Sequence, residues 1–177
     1  MSWSLDKQHF ELGFSAKHMM VTTVKGQFGE VDADVHLDEQ KPEASFVRAT
    51  VAAASINTGV ADRDTHLKSP DFFDVERYPS LTFASREVRL KGDNLELVGD
   101  LTIKDVTRPV TLKGEFNGPV QTPWGGRAVG VSLAGEIDRE EFGLTWNMAL
   151  DAGGVLVSRK IKLHVDAEVK EDAPAAS

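Results

Sequence analysis

The chain reads Ile161-Lys162-Leu163-His164-Val165-Asp166-Ala167-Glu168-Val169 near its C-terminus, an unbroken alternation of apolar and polar residues. Successive side chains of a β-strand point to opposite faces, so the alternation predicts a strand with one buried and one wet face. The same period recurs in residues 10–14, 47–53, 95–103, 110–116 and 129–137. Half-buried strands of this kind are typical of antiparallel sheets, since parallel sheets bury both faces.

Turn residues separate these strands. Residues 91–94, Lys-Gly-Asp-Asn, predict a tight hairpin, and residues 122–126 predict a longer one. Between residues 24 and 37 the apolar positions change parity, which predicts a β-bulge near Gly29 that bends the strand. Short connections from Phe83 onward favour a meander, and therefore an up-and-down barrel of about eight strands over a two-sheet sandwich.

Two segments interrupt the strand pattern. Residues 16–21 predict a helical turn or a corner between two strands. The longer interruption predicts a short helical insert around residues 61–74, in which Pro70 ends the helix. The chain shows no internal repeat, so we predict one all-β domain over residues 1–170 and a disordered tail over residues 171–177.

Composition excludes several classes of function. The 177 residues are 41% apolar and 27% charged, as in ordinary globular domains, and the absence of cysteine rules out disulfides, thiolate metal sites and a catalytic thiol. The formal charge of −8 disfavours nucleic acid and anionic membranes as partners. The cations are dispersed along the sequence, and their densest cluster, residues 159–162, is short.

The sequence also bears on location. The apolar runs are only a few residues long, such as residues 51–54, so we predict no membrane span. Residues 1–6 lack the basic and apolar regions of a secretory signal, which predicts a cytoplasmic protein if this is the natural start. A periplasmic chain from which a signal had been removed would look the same.

The interior of the predicted barrel is the first candidate site. Its predicted inward positions include small residues, namely Gly26, Gly99, Gly114, Ala33, Ala49 and Ala53. Small residues leave volume unfilled, and a dry apolar void is a site for an apolar ligand. The alternative is that large side chains from facing strands fill these gaps, which would leave a solid barrel serving as an interaction module.

The larger residues on the same predicted face are the candidate ligand contacts. They are Phe10, Leu12, Phe14, Phe28, Phe83, Leu101, Ile103, Leu112, Phe116, Val131, Leu133, Trp146 and Met148. Their role would be van der Waals contact with a long apolar chain. A register slip of one residue would invert the assignment of any strand.

A polar loop is the second candidate site, and it suggests a metal-dependent or acid–base enzyme. It contains Asp62, Arg63, Asp64, His66, Asp71 and Asp74. Carboxylates with an imidazole can bind a metal or transfer protons. Only one histidine lies there, however, so the favoured interpretation is structural: Asp62 or Asp64 caps a helix, and Arg63 or His66 bonds nearby backbone.

Several motifs resemble the bacterial YceI-like proteins in sequence and in order. They are Phe14-Ser15-Ala16-Lys17-His18, the stretch from Arg63-Asp64-Thr65-His66 to Asp71-Phe72-Phe73-Asp74, Leu101-Thr102-Ile103, Thr107-Arg108-Pro109-Val110, and Asp138-Arg139-Glu140-Glu141-Phe142-Gly143-Leu144. The matches run from about Trp3 to Val169. The combination is specific, whereas each piece alone is weak.

The resemblance implies an extended lipocalin-like antiparallel β-barrel whose tunnel holds a long amphiphile. Members of the family are described as binding polyisoprenoids, including isoprenoid quinones. No catalytic motif defines the family, so the resemblance implies neither an enzyme nor a metal or cofactor beyond the bound lipid. It is compatible with a homodimer.

Overall fold

A computed structural model describes residues 2–148, 150 and 156–172. Within these ranges the strands are β1 (Trp3–His18), β2 (Thr22–Phe28), β3 (Val31–His36), β4 (Phe46–Ala52), β5 (Ile56–Asn57), β6 (Ser80–Lys91), β7 (Asn94–Ile103), β8 (Val106–Gln121), β9 (Arg127–Asp138) and β10 (Lys160–Glu171). The helix α1 spans Ala61–Lys68, and 3₁₀ turns span Pro42–Ala44, Ala53–Ser55 and Arg139–Phe142. No helix among the described residues is long and apolar enough to cross a membrane.

The strands form one antiparallel sheet that closes on itself. Strands β6 to β10 follow one another as the predicted meander, and β10 pairs with β1. Two positions around the barrel each contain two consecutive strands. β2 and β3 share the position next to β1, since both pair with β1. β4 and β5 share the following position, since β4 pairs with β3 and β5 pairs with β2. The predicted all-β class is therefore confirmed, because the described residues form a closed eight-stranded antiparallel barrel with one short helix.

The seam between β1 and β10 contains a large bulge. Leu5 and Phe10 pair with residues only two apart on β10, so residues 6–9 of β1 face the single residue Glu168. The bulge changes the side-chain phase of β1. Leu5 and Phe10 consequently both face the barrel interior, although one is odd-numbered and the other even-numbered.

Asp6 occupies this bulge as a buried carboxylate. It accepts hydrogen bonds from Lys170 Nζ at 2.8 Å and from the Gln8 backbone N–H at 3.0 Å, and His9 Nδ1 lies 2.8 Å from its Oδ2. These groups, with Lys170 and His9 foremost, hold the pKa of Asp6 well below its usual range. The carboxylate is therefore ionised and paired where an isolated buried charge would be costly.

The predicted parity change between residues 24 and 37 is confirmed, but its cause differs from the predicted bulge. β2 stops at Phe28, and β3 starts at Val31. The backbone N–H of Gly29 donates to the carbonyl oxygen of Ser55 at 3.3 Å. The predicted bend is thus a break between two strands that lie along the same neighbour.

Residues 16–21 form a corner, so the alternative of a helical turn is wrong. β1 continues to His18, and Met19, Met20 and Val21 reverse the chain into β2. The φ angles of Met19 and Met20 are +51° and +61°, whereas a right-handed helix needs negative values.

The predicted turns and helix are present. Gly92 and Asp93 join β6 to β7, and residues 122–126 join β8 to β9. α1 ends at Lys68, two residues before Pro70. Proline disfavours helical conformation in the residue before it, so the helix has to end at this place.

The predicted boundary at residue 170 is too early. β10 runs to Glu171, and the backbone N–H of Asp172 donates to the carbonyl oxygen of Ser2 at 2.8 Å. Residues 173–177 of the predicted tail lie outside the described part of the chain.

The small residues of the predicted interior have different roles. Ala33 and Ala49 lie on the wall of the barrel cavity. Gly26 provides no open volume, because the ring of Phe14 lies where a Cβ would be. In the same way, the ring of Phe83 on β6 lies where a Cβ on Gly99 of β7 would be.

Gly114 and Ala53 add no cavity volume either. A Cβ on Gly114 would overlap the carbonyl oxygen of Ser132, so this glycine permits close approach of β8 and β9. Ala53 is 1% exposed within a 3₁₀ turn, away from the cavity wall. Of the six small residues predicted to leave volume in the interior, therefore, Ala33 and Ala49 lie on the cavity wall, whereas the three glycines and Ala53 do not.

We expect Gly114→Ala to lower the free energy of unfolding by about 3 kcal/mol, because the new methyl group has to push β9 away. Urea denaturation measures the change. Gly130→Ala is the matched control on β9, where a Cβ meets no atom within 4 Å, and it should stay within about 0.5 kcal/mol. Equal losses in the two variants would show that close strand approach is not the reason for glycine at 114.

Candidate ligand-binding cavity

A cavity of about 630 Å³ lies inside the barrel. Its wall is formed by apolar side chains from all ten strands except β5, together with residues of α1 and of the segments that follow α1 and β9. At one end, called here the β1–β2 end, it reaches Lys17, His18 and α1. At the opposite end it reaches His36, Phe46 and Leu90.

Twelve of the thirteen predicted contact residues lie on this wall. They are Phe10, Leu12, Phe14, Phe28, Phe83, Leu101, Ile103, Leu112, Phe116, Val131, Leu133 and Trp146. Their contact with a ligand stays a prediction. Met148 is the exception, because it is 56% exposed and does not lie on the cavity wall.

The sequence-based selection missed two kinds of wall residue. The first kind lies on strands with alternating apolar residues. Leu95, Leu97, Val110 and Ile137 share a strand and a parity with selected residues, whereas Ile161, Leu163 and Val165 lie on β10, from which no residue was selected. The period-two pattern could have found them. The second kind, Leu67, Phe72 and Phe73, comes from the helical insert, where no periodicity indicates which side chains turn inward.

The polar loop around α1 is bonded within itself. Arg63 Nε donates to Thr58 Oγ1 at 2.8 Å, and Arg63 Nη2 donates to the carbonyl oxygen of Thr58 at 2.8 Å. Asp64 accepts from the backbone N–H of Thr58 at 2.9 Å. Neither Asp62 nor Asp64 caps the helix, which begins after Val60 without a side-chain cap, so the capping prediction is wrong while the backbone bond of Arg63 is confirmed.

His66 closes the wall beside this loop. Its Nε2 lies 2.9 Å from Asp71 Oδ2, and its ring packs edge-on against Trp146 and Phe72 at centroid distances of 4.6 and 5.1 Å. The imidazole is therefore held by one carboxylate and two aromatic rings, an arrangement that positions side chains at the end of the cavity.

Arg139 fixes the segment that covers the same end, here called the strap (residues 144–148 and 156–158). Arg139 is 3% exposed. Its Nε donates to Ser158 O at 2.8 Å, Nη1 to Leu144 O at 2.6 Å and Trp146 O at 2.9 Å, and Nη2 to Val157 O at 3.2 Å. Burial lowers the pKa of this guanidinium, yet arginine remains charged at neutral pH. One buried cation thus gathers four carbonyl groups and places Trp146 over the cavity.

The family model of the YceI-like domain matches residues 3–169. The chain belongs to the YceI-like family. It is 38% identical to a UPF0312 protein of Staphylococcus aureus (strain USA300) over 168 residues, which is 94% of this chain and 96% of the relative. The resemblance found in the sequence motifs is therefore confirmed.

Solved structures show the same YceI-like fold. A YceI protein of Campylobacter jejuni is 30% identical with a TM-score of 0.77, covering 89% of this chain and 90% of that one. A polyisoprenoid-binding domain from Saccharophagus degradans has a TM-score of 0.67 over 97% of this chain and 99% of that one. Its identity of 12% makes it evidence of common fold alone.

In the described part of this YceI-like chain, two groups of side chains have the composition of a metal site. They are Asp6, His9 and Glu168, and Glu11, His164 and Asp166. Both lie on β1 and β10 away from the polar loop, and Lys170 already neutralises Asp6 in the first group. Among the described residues, therefore, no such group involves the predicted loop of residues 62–74.

We expect Arg139→Gln to lower the free energy of unfolding of this YceI-like domain by about 3 kcal/mol. A glutamine amide cannot reach four carbonyl oxygens, which then lose their donors inside the protein. Urea denaturation measures the loss. Arg86→Gln is the control, because Arg86 is 56% exposed and pairs with Asp100 at 3.3 Å, and it should change stability by less than about 0.5 kcal/mol. A fully stable Arg139→Gln protein would contradict the role of Arg139 in holding the strap.

Proposed function

We propose that the protein binds and carries one long-chain isoprenoid lipid or isoprenoid quinone in the barrel cavity, without catalysis. The observation that carries the proposal is the apolar cavity of about 630 Å³ enclosed by the barrel strands. Small-molecule sites have volumes of about 300–1,000 Å³, so the cavity has the size of a ligand site. A filled barrel would serve the alternative of a pure interaction module, and the cavity favours carriage instead.

The chemistry of the wall favours an apolar chain as cargo. Phe, Leu, Ile and Val side chains form the middle of the cavity, and polar side chains such as Arg63 and His36 occur at its two ends. Removing apolar surface from water contributes about 25 cal/mol per Å², so many small contacts supply the binding free energy. Such contacts discriminate weakly between chains that differ by one methylene group.

The comparisons support the same class of ligand. The structural neighbour from Saccharophagus degradans is described as a polyisoprenoid-binding domain. This chain shares its barrel and encloses a cavity of its own. The polar loop supports carriage over catalysis, because Arg63, Asp64 and His66 are each bonded to neighbouring groups of the protein.

Organic extraction of freshly purified protein, followed by mass spectrometry, tests the proposal. We expect a prenyl lipid or quinone in the extract, or stoichiometric uptake of an added prenyl quinone by emptied protein. Absence of any lipid together with no uptake would overturn the proposal. Recovery of phospholipid alone would show that the ligand is a phospholipid and not an isoprenoid.

Filling the cavity should displace the ligand. Ala33 and Ala49 face each other across β3 and β4 on the cavity wall, so Ala49→Phe places a ring in the lumen without adding charge. We expect its affinity for a prenyl quinone to fall at least about tenfold, or about 1.4 kcal/mol. Quinone titration measures the affinity.

Ala134→Phe is the matched control, because Ala134 is exposed on the outer face of β9. Its affinity should equal that of the unaltered protein. Unchanged affinity in Ala49→Phe, with native stability, would show that the ligand binds outside this cavity.

A further inference from the structure

The turn between β1 and β2 exposes three apolar residues beside the cavity. Met19, Met20 and Val21 are 46%, 63% and 76% exposed. We call these three residues the apolar tip. His18, which directly precedes them, lies on the cavity wall, and the Met19 backbone N–H donates to the carbonyl oxygen of Leu156, another wall residue. The apolar tip therefore projects from the β1–β2 end of the barrel.

Turn geometry does not explain methionine at these positions. Met19 and Met20 both have positive φ, and the Val21 backbone N–H donates to His18 O at 3.1 Å. Asparagine and glycine are the residues favoured in such a turn, because longer side chains are strained there. Methionine is flexible and polarizable, and it is common at surfaces that adapt to apolar partners.

Strand pairing gathers basic residues next to the apolar tip. Ser15 of β1 pairs with Lys25 of β2 on one side and with Lys162 of β10 on the other. Together with Lys17 and Lys160, these lysines are exposed at the β1–β2 end. We call the four lysines the basic patch.

Few carboxylates oppose the basic patch. Residues 12–29 contain no acidic residue, although the chain carries a net charge of −8. On the adjacent strand β9, Glu136 pairs with Lys162 and Asp138 pairs with Lys160. The Asp138 carboxylate already accepts from Arg159 Nη2 at 2.8 Å. On the face formed by β2, β1 and β10 the four lysines outnumber the carboxylates paired with them, so the basic patch itself is positive, while Glu140 and Glu141 after β9 and Asp62 and Asp64 of α1 lie at the same end of the barrel.

We propose that the apolar tip and the basic patch dock this end of the barrel onto an anionic lipid bilayer. The lysines attract acidic headgroups, and the three apolar side chains enter the interface between headgroups and acyl chains. Attraction between the basic patch and the acidic headgroups orients the face formed by β2, β1 and β10, with its apolar tip, toward the membrane. In the proposed function, this orientation brings the cavity to the bilayer from which its lipid comes.

Charge complementarity favours a bilayer over a second copy of the chain as the occupant. A second copy would bring the same basic patch against this one and adds a net charge of −8 of its own. A bilayer supplies negative headgroups and an apolar layer beneath them, which matches the order of lysines and tip along the barrel axis.

Vesicle co-sedimentation tests the proposal with no cargo lipid, so its outcome is independent of the proposed function. Vesicles of phosphatidylcholine with phosphatidylglycerol are compared with phosphatidylcholine alone. We expect binding to the anionic vesicles only, and weaker binding at high salt because salt screens the lysines. Failure to bind anionic vesicles at low salt would overturn the proposal even if the cavity holds a lipid.

Paired variants test the surface itself. Lys25→Glu with Lys162→Glu should lower the partition coefficient at least about twentyfold, since each lysine near an anionic surface contributes about fivefold. Lys41→Glu with Lys91→Glu is the control, because it makes the same change in net charge at exposed positions elsewhere. Equal losses in both pairs would show that net charge, and not this surface, governs binding.

The apolar tip is tested in the same way. Met19→Ser with Met20→Ser should weaken binding to anionic vesicles, whereas Trp124→Ser should not, although Trp124 is 85% exposed in the β8–β9 turn. Each variant should have the unfolding curve of the unaltered protein, which shows that a loss of binding is not caused by a loss of folding. Full binding by the double serine variant would overturn insertion of the tip.

Discussion

Pairing of β1 with β10 is the constraint on which the other features depend. Without this seam the sheet would have two free edges, and its apolar faces would enclose no common interior. The seam is irregular, because β1 has to change phase at residues 6–9 to keep Leu5 and Phe10 on the same side. Because Lys170 pairs with the buried carboxylate of Asp6, the bulge does not leave an unpaired charge inside the protein. Closure of the barrel therefore depends on the ion pair between Asp6 and Lys170 as well as on the backbone hydrogen bonds between β1 and β10.

The cavity is the part of the barrel interior that the inward-pointing side chains do not fill. Small residues were the sequence-based explanation, and Ala33 and Ala49 do lie on the wall, yet Phe14 covers Gly26 and Phe83 covers Gly99, as aromatic rings often cover strand glycines. The remaining space lies between side chains that point inward from opposite sides of a wide barrel. Both of the features that close its β1–β2 end, α1 and the strap, are held by polar contacts made with backbone groups, those of Arg63 and Arg139. Apolar side chains thus form the cavity wall, while hydrogen bonds hold the two segments that close its β1–β2 end.

Charge distribution shows how the fold changes the meaning of a sequence feature. Along the chain the lysines are dispersed and their densest cluster, residues 159–162, is short, so the net charge of −8 disfavoured anionic surfaces as partners. Antiparallel pairing places Lys25 and Lys162 on either side of Ser15, although 137 positions separate them in the sequence. The register of the barrel, and not the local composition, creates a basic surface beside an apolar turn.

Sequence alone determined the strands, the inward face of most of them, the two hairpin turns and the short helix. These features follow from local rules, because side-chain alternation and turn residues act over a few neighbouring positions. Eleven strand residues of the candidate set lie on the cavity wall for this reason, whereas Trp146 and Met148 belong to the strap, where no strand decides that Trp146 lies on the wall and Met148 does not. Only the tertiary structure decided the phase change at Asp6, the carbonyl contacts of Arg139 and the inward side chains of the helical insert. Each depends on groups distant in sequence meeting in space, and no periodicity along the chain encodes such a meeting.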